Sequence, residues 1–202
     1  MKYEASQTET DWLQRLHHND DQALALLMKK YYTSLYNYAY RFSQDDGLIK
    51  DCIQEVFISL WQRRDTVLQI LSPKYYLLRA IKNKVLKCLH QNNRKADSTP
   101  LNEEYEFLHE LSIEQILIDK QISEEKAEML KKTLGFLSKR QKEIIYLKYY
   151  LLLDHGQIAE LMNISRQSVY NLLHETVQKL RTVWHAEFIT RCVVFILLNM
   201  LF

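Results

Sequence analysis

Glycine and proline, the residues that most often make turns, are scarce in this chain: its 202 residues include three Gly and two Pro. A sheet protein of this length would need many more of them to reverse its strands. Leu, Lys, Glu and Gln, which favour helices, are abundant instead. We therefore expect an all-α protein.

A polar stretch without apolar periodicity, Asn92–Glu104, is typical of a linker. From residue 97 to residue 125 the chain carries nine acidic residues and a single Lys. We predict two small helical domains joined by a flexible acidic linker. The predicted boundaries are residues 1–91 for the first domain, 92–125 for the linker, 126–185 for the second domain, which contains a helix-turn-helix, and 186–202 for a hydrophobic tail.

Three amphipathic helices forming a compact bundle are predicted in the first domain. The first begins after Asn19 or Asp20 as N-cap and buries Leu24, Leu27, Met28, Tyr31, Leu35, Tyr38, Ala39 and Phe42. The second runs from about Gly47 to Arg64, with Ile49, Ile53, Val56, Phe57, Leu60 and Trp61 inward and Asp51, Gln54, Glu55 and Ser59 outward. Ser72 and Pro73 open the third, which continues to about Gln91.

The third helix carries a block of basic residues without an intervening acid: Lys74, Arg79, Lys82, Lys84, Lys87, Arg94 and Lys95. Tyr75, Tyr76 and Asn83 lie on the same helix. Aromatic side chains beside a cationic groove can hold single-stranded bases. Two interpretations stay open: a nucleic-acid site, or a solvated charged face with the tyrosines in the core.

Capping signals organise the second domain. A helix is predicted from Leu130 to Leu137, and the S-x-x-Q spacing of Ser138 and Gln141 opens another that reaches about Tyr150. Asp154 and Gln157 repeat this pattern before a short helix that places Ile158, Ala159 and Leu161 inward. After a turn at Asn163 and Ile164, Ser165 caps a longer helix that buries Val169, Leu172, Leu173, Val177 and Leu180. This order of elements predicts the helix-turn-helix.

In a helix-turn-helix, the start of the second helix reaches base edges in the major groove. The polar residues opposite the buried stripe are Arg166, Gln167, Tyr170, Asn171 and His174. Arg, Gln and Asn can make bidentate contacts to bases. Lys179 and Arg181, and Arg140 and Lys142 on the preceding helix, suit phosphates. The alternative is an ordinary helical pair with a solvated face.

The sequence offers no catalytic, metal or cofactor motif. Its three Cys residues form no C-x-x-C pair, its seven His residues lack H-E-x-x-H spacing, and no glycine-rich phosphate loop is present. We therefore expect no metal, cofactor or small-molecule substrate and no enzymatic activity. The polar N-terminus lacks a secretion signal, which suggests a cytoplasmic protein.

The apolar tail is shorter than the roughly 20 residues that a membrane span needs. It is expected to pack on the second domain. A surface for a partner protein comes second, and attachment to a membrane surface third.

Four segments resemble sigma factors of the extracytoplasmic-function (ECF) group, over roughly residues 19–91 and 127–183. Residues 51–61 (DCIQEVFISLW) resemble the D-L-V-Q-E-V-F-x-x-L-W helix of that family. Residues 76–83 resemble W-L-x-R-I-A-x-N, with Tyr76 in place of Trp. Residues 137–143 and 157–165 resemble L-P-x-x-x-R-E and E-I-A-E-x-L-G-I-S, with Ser138 for Pro and Asn163 for Gly.

The resemblance implies a promoter-specificity subunit whose partners are core RNA polymerase, promoter DNA and an anti-sigma factor. It implies that Asp51, Gln54, Glu55 and Ser59 bind polymerase. It assigns the minus-10 element to Tyr75, Tyr76, Arg79, Lys82, Asn83 and Lys84. It assigns the minus-35 element to Arg140, Ser165, Arg166, Gln167, Tyr170, Asn171, His174 and Lys179. The acidic linker would then mimic nucleic acid inside the polymerase. A free-standing helix-turn-helix regulator, acting without polymerase, is the alternative.

Overall fold

The computed structural model describes residues 7–95, residue 132 and residues 134–182, and within residues 92–95 it describes the backbone alone. Every regular element in this part of the chain is helical, which confirms the all-α prediction. The chain divides into two compact units, Met1–Glu110 and Leu111–Phe202. That division falls within the predicted linker. The hydrophobic tail, and the linker beyond residue 95, lie outside the described residues.

Within residues 7–95, the described part of the N-terminal unit, the chain forms four α-helices and one short 3-10 helix. In chain order these are α1 (Gln7–His17), α2 (Asp21–Ala39), α3 (Asp46–Gln62), the 3-10 helix (Arg64–Gln69) and α4 (Pro73–Lys95). The predicted bundle of three helices is therefore incomplete, because α1 joins it. Leu13 and Leu16 of α1 are buried, and the buried carboxylate of Glu9 accepts hydrogen bonds from Lys30 and Tyr31 of α2.

The starts of α2 and α4 follow the predicted caps. Asp20 caps α2 by accepting a hydrogen bond from the backbone N–H of Gln22 at 2.9 Å. Ser72 accepts one from the backbone N–H of Tyr75 at 3.3 Å, and Pro73 is the first residue of α4. The end of α4 lies four residues beyond the predicted one. Of the predicted α2 stripe, Leu24 and Met28 are half-buried and the others buried, and Trp61 is half-buried on α3.

The C-terminal unit contains α5 (Lys139–Ile145), α6 (His155–Met162) and α7 (residues 166–182). Of the predicted Leu130–Leu137 helix, residues 132 and 134–137 are described. Residues 132, 134 and 135 are helical, whereas Phe136 and Leu137 lie in a turn, so the helix ends two residues before the predicted end. The predicted helix from Ser138 to Tyr150 changes character at its midpoint, since Tyr146–Tyr150 forms a π-helical turn. The backbone N–H of Leu151 accordingly donates to the carbonyl of Tyr146, five residues earlier, at 3.0 Å.

Both predicted capping boxes are present, at Ser138 with Gln141 and at Asp154 with Gln157. Asn163 ends α6 in the left-handed conformation, with φ of 52°, and the Ser165 hydroxyl accepts a hydrogen bond from the backbone N–H of Ser168 at 3.0 Å. These contacts confirm the helix-turn-helix. Along α7, Val169 and Leu173 are buried, while the rest of the predicted stripe is half-buried: Leu172, Val177 and Leu180. Thr176 is fully buried as well, and its hydroxyl is satisfied by donating to the carbonyl of Leu172.

Candidate functional site

The outer face of α3 is a continuous exposed stripe. Asp51, Gln54, Glu55 and Ser59 are all exposed, as predicted. Ile58, which the sequence prediction missed, is 46% exposed in the same stripe. Its spacing of four residues from Gln54 was the available signal. Polar side chains around one exposed apolar group suit docking on another protein.

Glu55 is also engaged within the protein. Its carboxylate forms an ion pair with the ammonium of Lys84 on α4. The pair lies at the edge of the α3–α4 contact, where the Lys84 side chain is 30% exposed and that of Glu55 is 53% exposed. One predicted polymerase contact and one predicted minus-10 contact therefore neutralise each other in this structure.

The predicted minus-10 residues of α4 differ in exposure. Arg79 and Asn83, one helical turn apart, are exposed, whereas four are half-buried: Tyr75, Tyr76, Lys82 and Lys84. The ammonium of Lys82 lies 5.5 Å from the centroid of the Phe42 ring, a cation–π contact that anchors α4 to the end of α2. Burial lowers the pKa of Lys74 at the start of the basic block. Some residues of the basic block therefore face solvent, while others pack against the rest of the unit.

The first turns of α7 expose the predicted base-reading set: Arg166, Gln167, Tyr170, Asn171 and His174. Gln167 donates from Nε2 to Oδ1 of Asn171 at 3.0 Å, so these two amides hold each other in one orientation. Lys179 and Arg181 are exposed further along the same helix, and Arg140 is exposed on α5. Ser165, predicted as a DNA contact, uses its hydroxyl as the N-cap of α7.

The Arg166 side chain reaches back to the first turn of α6. Its Nη2 atom lies 3.0 Å from the position that a Cβ atom would occupy on Gly156, and Oδ1 of Asp154 lies 3.1 Å from that position. A Cβ atom at residue 156 would therefore require the guanidinium to shift by a few tenths of an ångström. The absence of a side chain at Gly156 leaves room for the Arg166 guanidinium against the first turn of α6.

A groove of about 370 Å³ runs beside the exposed face of α7 and is lined by Lys148, Tyr149, His155, Tyr170, His174 and Arg181, among others. The rings of His155 and Tyr170 have centroids 4.2 Å apart, a contact that joins α6 to α7. Burial, with a smaller contribution from the charge of Lys148, lowers the pKa of His155, which favours the neutral imidazole. The sequence prediction did not place Lys148, Tyr149 and His155 beside α7; the first two belong to the π-helical turn, which periodicity does not indicate.

Within the described part of the chain, no three or more His, Cys, Asp or Glu side chains are grouped so that they could hold a metal ion. None of the helices described is both long and apolar enough to cross a membrane.

Comparison with known proteins identifies both units. Residues 27–95 match the family described as Sigma-70 region 2, and residues 127–180 match Sigma-70, region 4. No curated protein matches the sequence. Among solved structures, CnrH in complex with the cytosolic domain of CnrY is similar, with a TM-score of 0.51 and 17% identity. That comparison covers 89% of this chain and 98% of CnrH.

The sigma factor RpoE from Bartonella quintana, in complex with the anti-sigma factor NepR, is also similar, with a TM-score of 0.50 and 18% identity. It covers 83% of this chain and 97% of the RpoE chain. At these identities the two structures show a shared fold. The two matched regions together cover more than half of the chain. The protein belongs to the sigma-70 family of bacterial transcription initiation factors, in its extracytoplasmic-function group.

Proposed function

We propose that this sigma factor binds core RNA polymerase through α3 and directs initiation at promoters whose minus-10 and minus-35 elements it recognises through α4 and α7. The observation that carries the proposal is the exposed stripe of α3, on which Asp51, Gln54, Ile58 and Ser59 face away from a fully packed side. The apolar Ile58 within this otherwise polar face favours contact with a partner protein. The chain supplies specificity, and the polymerase supplies the chemistry, in the cytoplasm.

In the N-terminal unit, Arg79 and Asn83 are the exposed candidates for the minus-10 strand. Tyr75 and Tyr76 are half-buried, which leaves part of each ring available for stacking on a base. In the C-terminal unit, the start of α7 reads the minus-35 duplex, while Arg140 and Lys179 contact phosphates. Since the net charge is only +2, binding to DNA without polymerase is expected to be weak and sensitive to salt.

An anti-sigma factor belongs to this proposal. RpoE, which shares the fold, was solved with the anti-sigma factor NepR. We propose that a protein of that class holds this chain inactive by covering the α3 stripe, so that polymerase cannot bind. Such a partner would compete with core polymerase for Gln54 and Ile58.

The test is run-off transcription with core RNA polymerase on a promoter library. The informative variant is Asp51→Ala with Gln54→Ala, because substituting Glu55 would also break its pair with Lys84. A matched control replaces two exposed residues of α2, Lys29→Ala with Thr33→Ala. We expect wild type and control to give the same promoter-specific transcripts and the α3 variant to lose them.

Two results would contradict the proposal. One is an α3 variant as active as wild type. The other is sequence-specific binding to duplex DNA without any association with polymerase, which would establish the free-standing regulator instead.

A further inference from the structure

Two cysteines that are distant in sequence meet where α3 contacts α4. The sulfur atoms of Cys52 and Cys88, 36 positions apart, lie 3.7 Å from each other, and both thiols are free. Cys52 is 1% exposed, while Cys88 is half-buried. A disulfide has an S–S distance of about 2.05 Å, so a small approach of the sulfur atoms would suffice to form one.

The surrounding contacts hold the two sulfur atoms opposite each other. The ion pair between Glu55 and Lys84 lies next to the thiol pair, three residues later on α3 and four residues earlier on α4. Because the ion pair follows the cysteine on α3 but precedes it on α4, the two helices run antiparallel here. The ion pair and the thiol pair are therefore adjacent contacts in one α3–α4 interface, and both helices fix the alignment of the thiols.

We propose that Cys52 and Cys88 are a site of reversible oxidation, at which a hydroperoxide converts the two thiols into an intramolecular disulfide. The proposal is independent of the promoter function, because it concerns a modification of α3 and α4. The number and spacing of the cysteines in the sequence do not indicate this disulfide.

Cys88 is the residue that meets the oxidant, because it is the more exposed of the two. Its thiolate attacks one peroxide oxygen, the O–O bond breaks, and the products are a Cys88 sulfenic acid and an alcohol or water. Cys52 then attacks the Cys88 sulfur. The S–O bond breaks, and the leaving hydroxide takes up the Cys52 proton as water. In sum, two thiols and one hydroperoxide give one disulfide, one alcohol and one water.

The environment of Cys52 supports this order of steps. Burial, together with the hydrogen bond to Cys88, raises the pKa of Cys52 to about 12, so the Cys52 thiol is protonated at neutral pH. The charge of Lys84 opposes this shift at Cys52 as a smaller effect. A reducing thiol reverses the bond by exchange.

The experiment uses the full-length protein with Cys192→Ser, so that only Cys52 and Cys88 can react. After treatment with hydrogen peroxide, thiols are titrated in denaturant and peptides are mapped by mass spectrometry without reduction. We expect a monomer that has lost both thiols, a peptide cross-linked between Cys52 and Cys88, and full recovery with dithiothreitol. Further substitution of Cys88→Ser should leave Cys52 unreacted, while Cys52→Ser should let sulfenic or sulfinic acid accumulate on Cys88.

Three results would overturn the proposal. They are Cys88 sulfinic acid beside a titratable Cys52, disulfides that form only between molecules, and two thiols that survive peroxide concentrations that oxidise free cysteine.

Discussion

The carboxylate of Glu55 on α3 and the ammonium of Lys84 on α4 form an ion pair between the two helices that carry the proposed polymerase and minus-10 contacts. Substitution of either residue thus leaves a charge unpaired on the other helix. For this reason Asp51 and Gln54 are better probes of polymerase binding than Glu55, although all three are exposed.

We expect this pair to contribute little to stability, because both side chains remain in contact with solvent. Glu55→Gln or Lys84→Met should each lower the free energy of unfolding by about 0.5 kcal/mol, and the coupling energy of the double-mutant cycle should stay below about 1 kcal/mol. Urea unfolding of the four proteins measures both quantities. A coupling energy of several kcal/mol would mean that the pair is desolvated, contrary to the exposure observed.

Gly156→Ala should separate binding from folding. The new methyl group shifts the guanidinium of Arg166, the flexible end of a side chain, by a few tenths of an ångström, so thermal unfolding should change little. Affinity for minus-35 duplex should fall about two- to threefold, less than the loss of a whole base contact. Gly135→Ala is the matched control, since a Cβ atom there meets nothing within 4 Å. Equal affinity of the two variants would show that the position of Arg166 is unimportant.

Arg166 and Lys179 should differ in the kind of defect that their loss produces. Arg166→Ala should cost about 1–3 kcal/mol of specific binding and relax the preference at one base pair. Lys179→Ala should weaken binding to all sequences alike and reduce the salt dependence. Titrations of wild type and both variants on a set of single-base operator variants, at several salt concentrations, distinguish the two. Identical defects would refute the assignment of base and phosphate roles.

Removal of a helix cap should destabilise the C-terminal unit. Asp154→Ala removes the acceptor of the 2.9 Å hydrogen bond from the backbone N–H of Gln157, at an expected cost of about 1 kcal/mol. Asp154→Ser, which keeps an acceptor, should recover most of that loss. Amide hydrogen exchange along α6 is the measurement. Unchanged exchange in the alanine variant would show that packing alone holds the start of α6.

The pKa of His155 predicts a loss of stability in acid. Because this pKa is lower in the folded protein than its usual value near 6.5, the unfolded chain binds more protons as the pH falls through that value. The C-terminal unit should therefore be less stable at pH 5.5 than at pH 7.5. In His155→Gln the difference between the two pH values should shrink. Unfolding curves at both pH values test this, and an unchanged difference would assign the effect to other groups.

Features that depend on local sequence were predictable. The two capping boxes, the turn at Asn163 and the outward face of α3 each follow from residue types within four or five positions. The resemblance then attached a function to those faces, because the motif in α3 spans eleven consecutive residues.

Features that depend on distant contacts were not predictable. The helix α1 has few apolar residues, and its buried Glu9 is understandable only beside Lys30 and Tyr31. Nothing in the local sequence indicates that Glu55 would meet Lys84, or that Cys52 would meet Cys88. The π-helical turn Tyr146–Tyr150 is a departure of one residue from a regular helix, and periodicity cannot detect it.

The hydrogen bond between Gln167 and Asn171 has a consequence for how promoter preference can change. With one amide hydrogen of Gln167 committed to Asn171, the pair offers the oxygen of the first residue as an acceptor and the nitrogen of the second as a donor. A substitution at either position frees the other side chain to rotate and exchange those roles. The two residues therefore determine base preference jointly, so a new promoter specificity requires replacing both together.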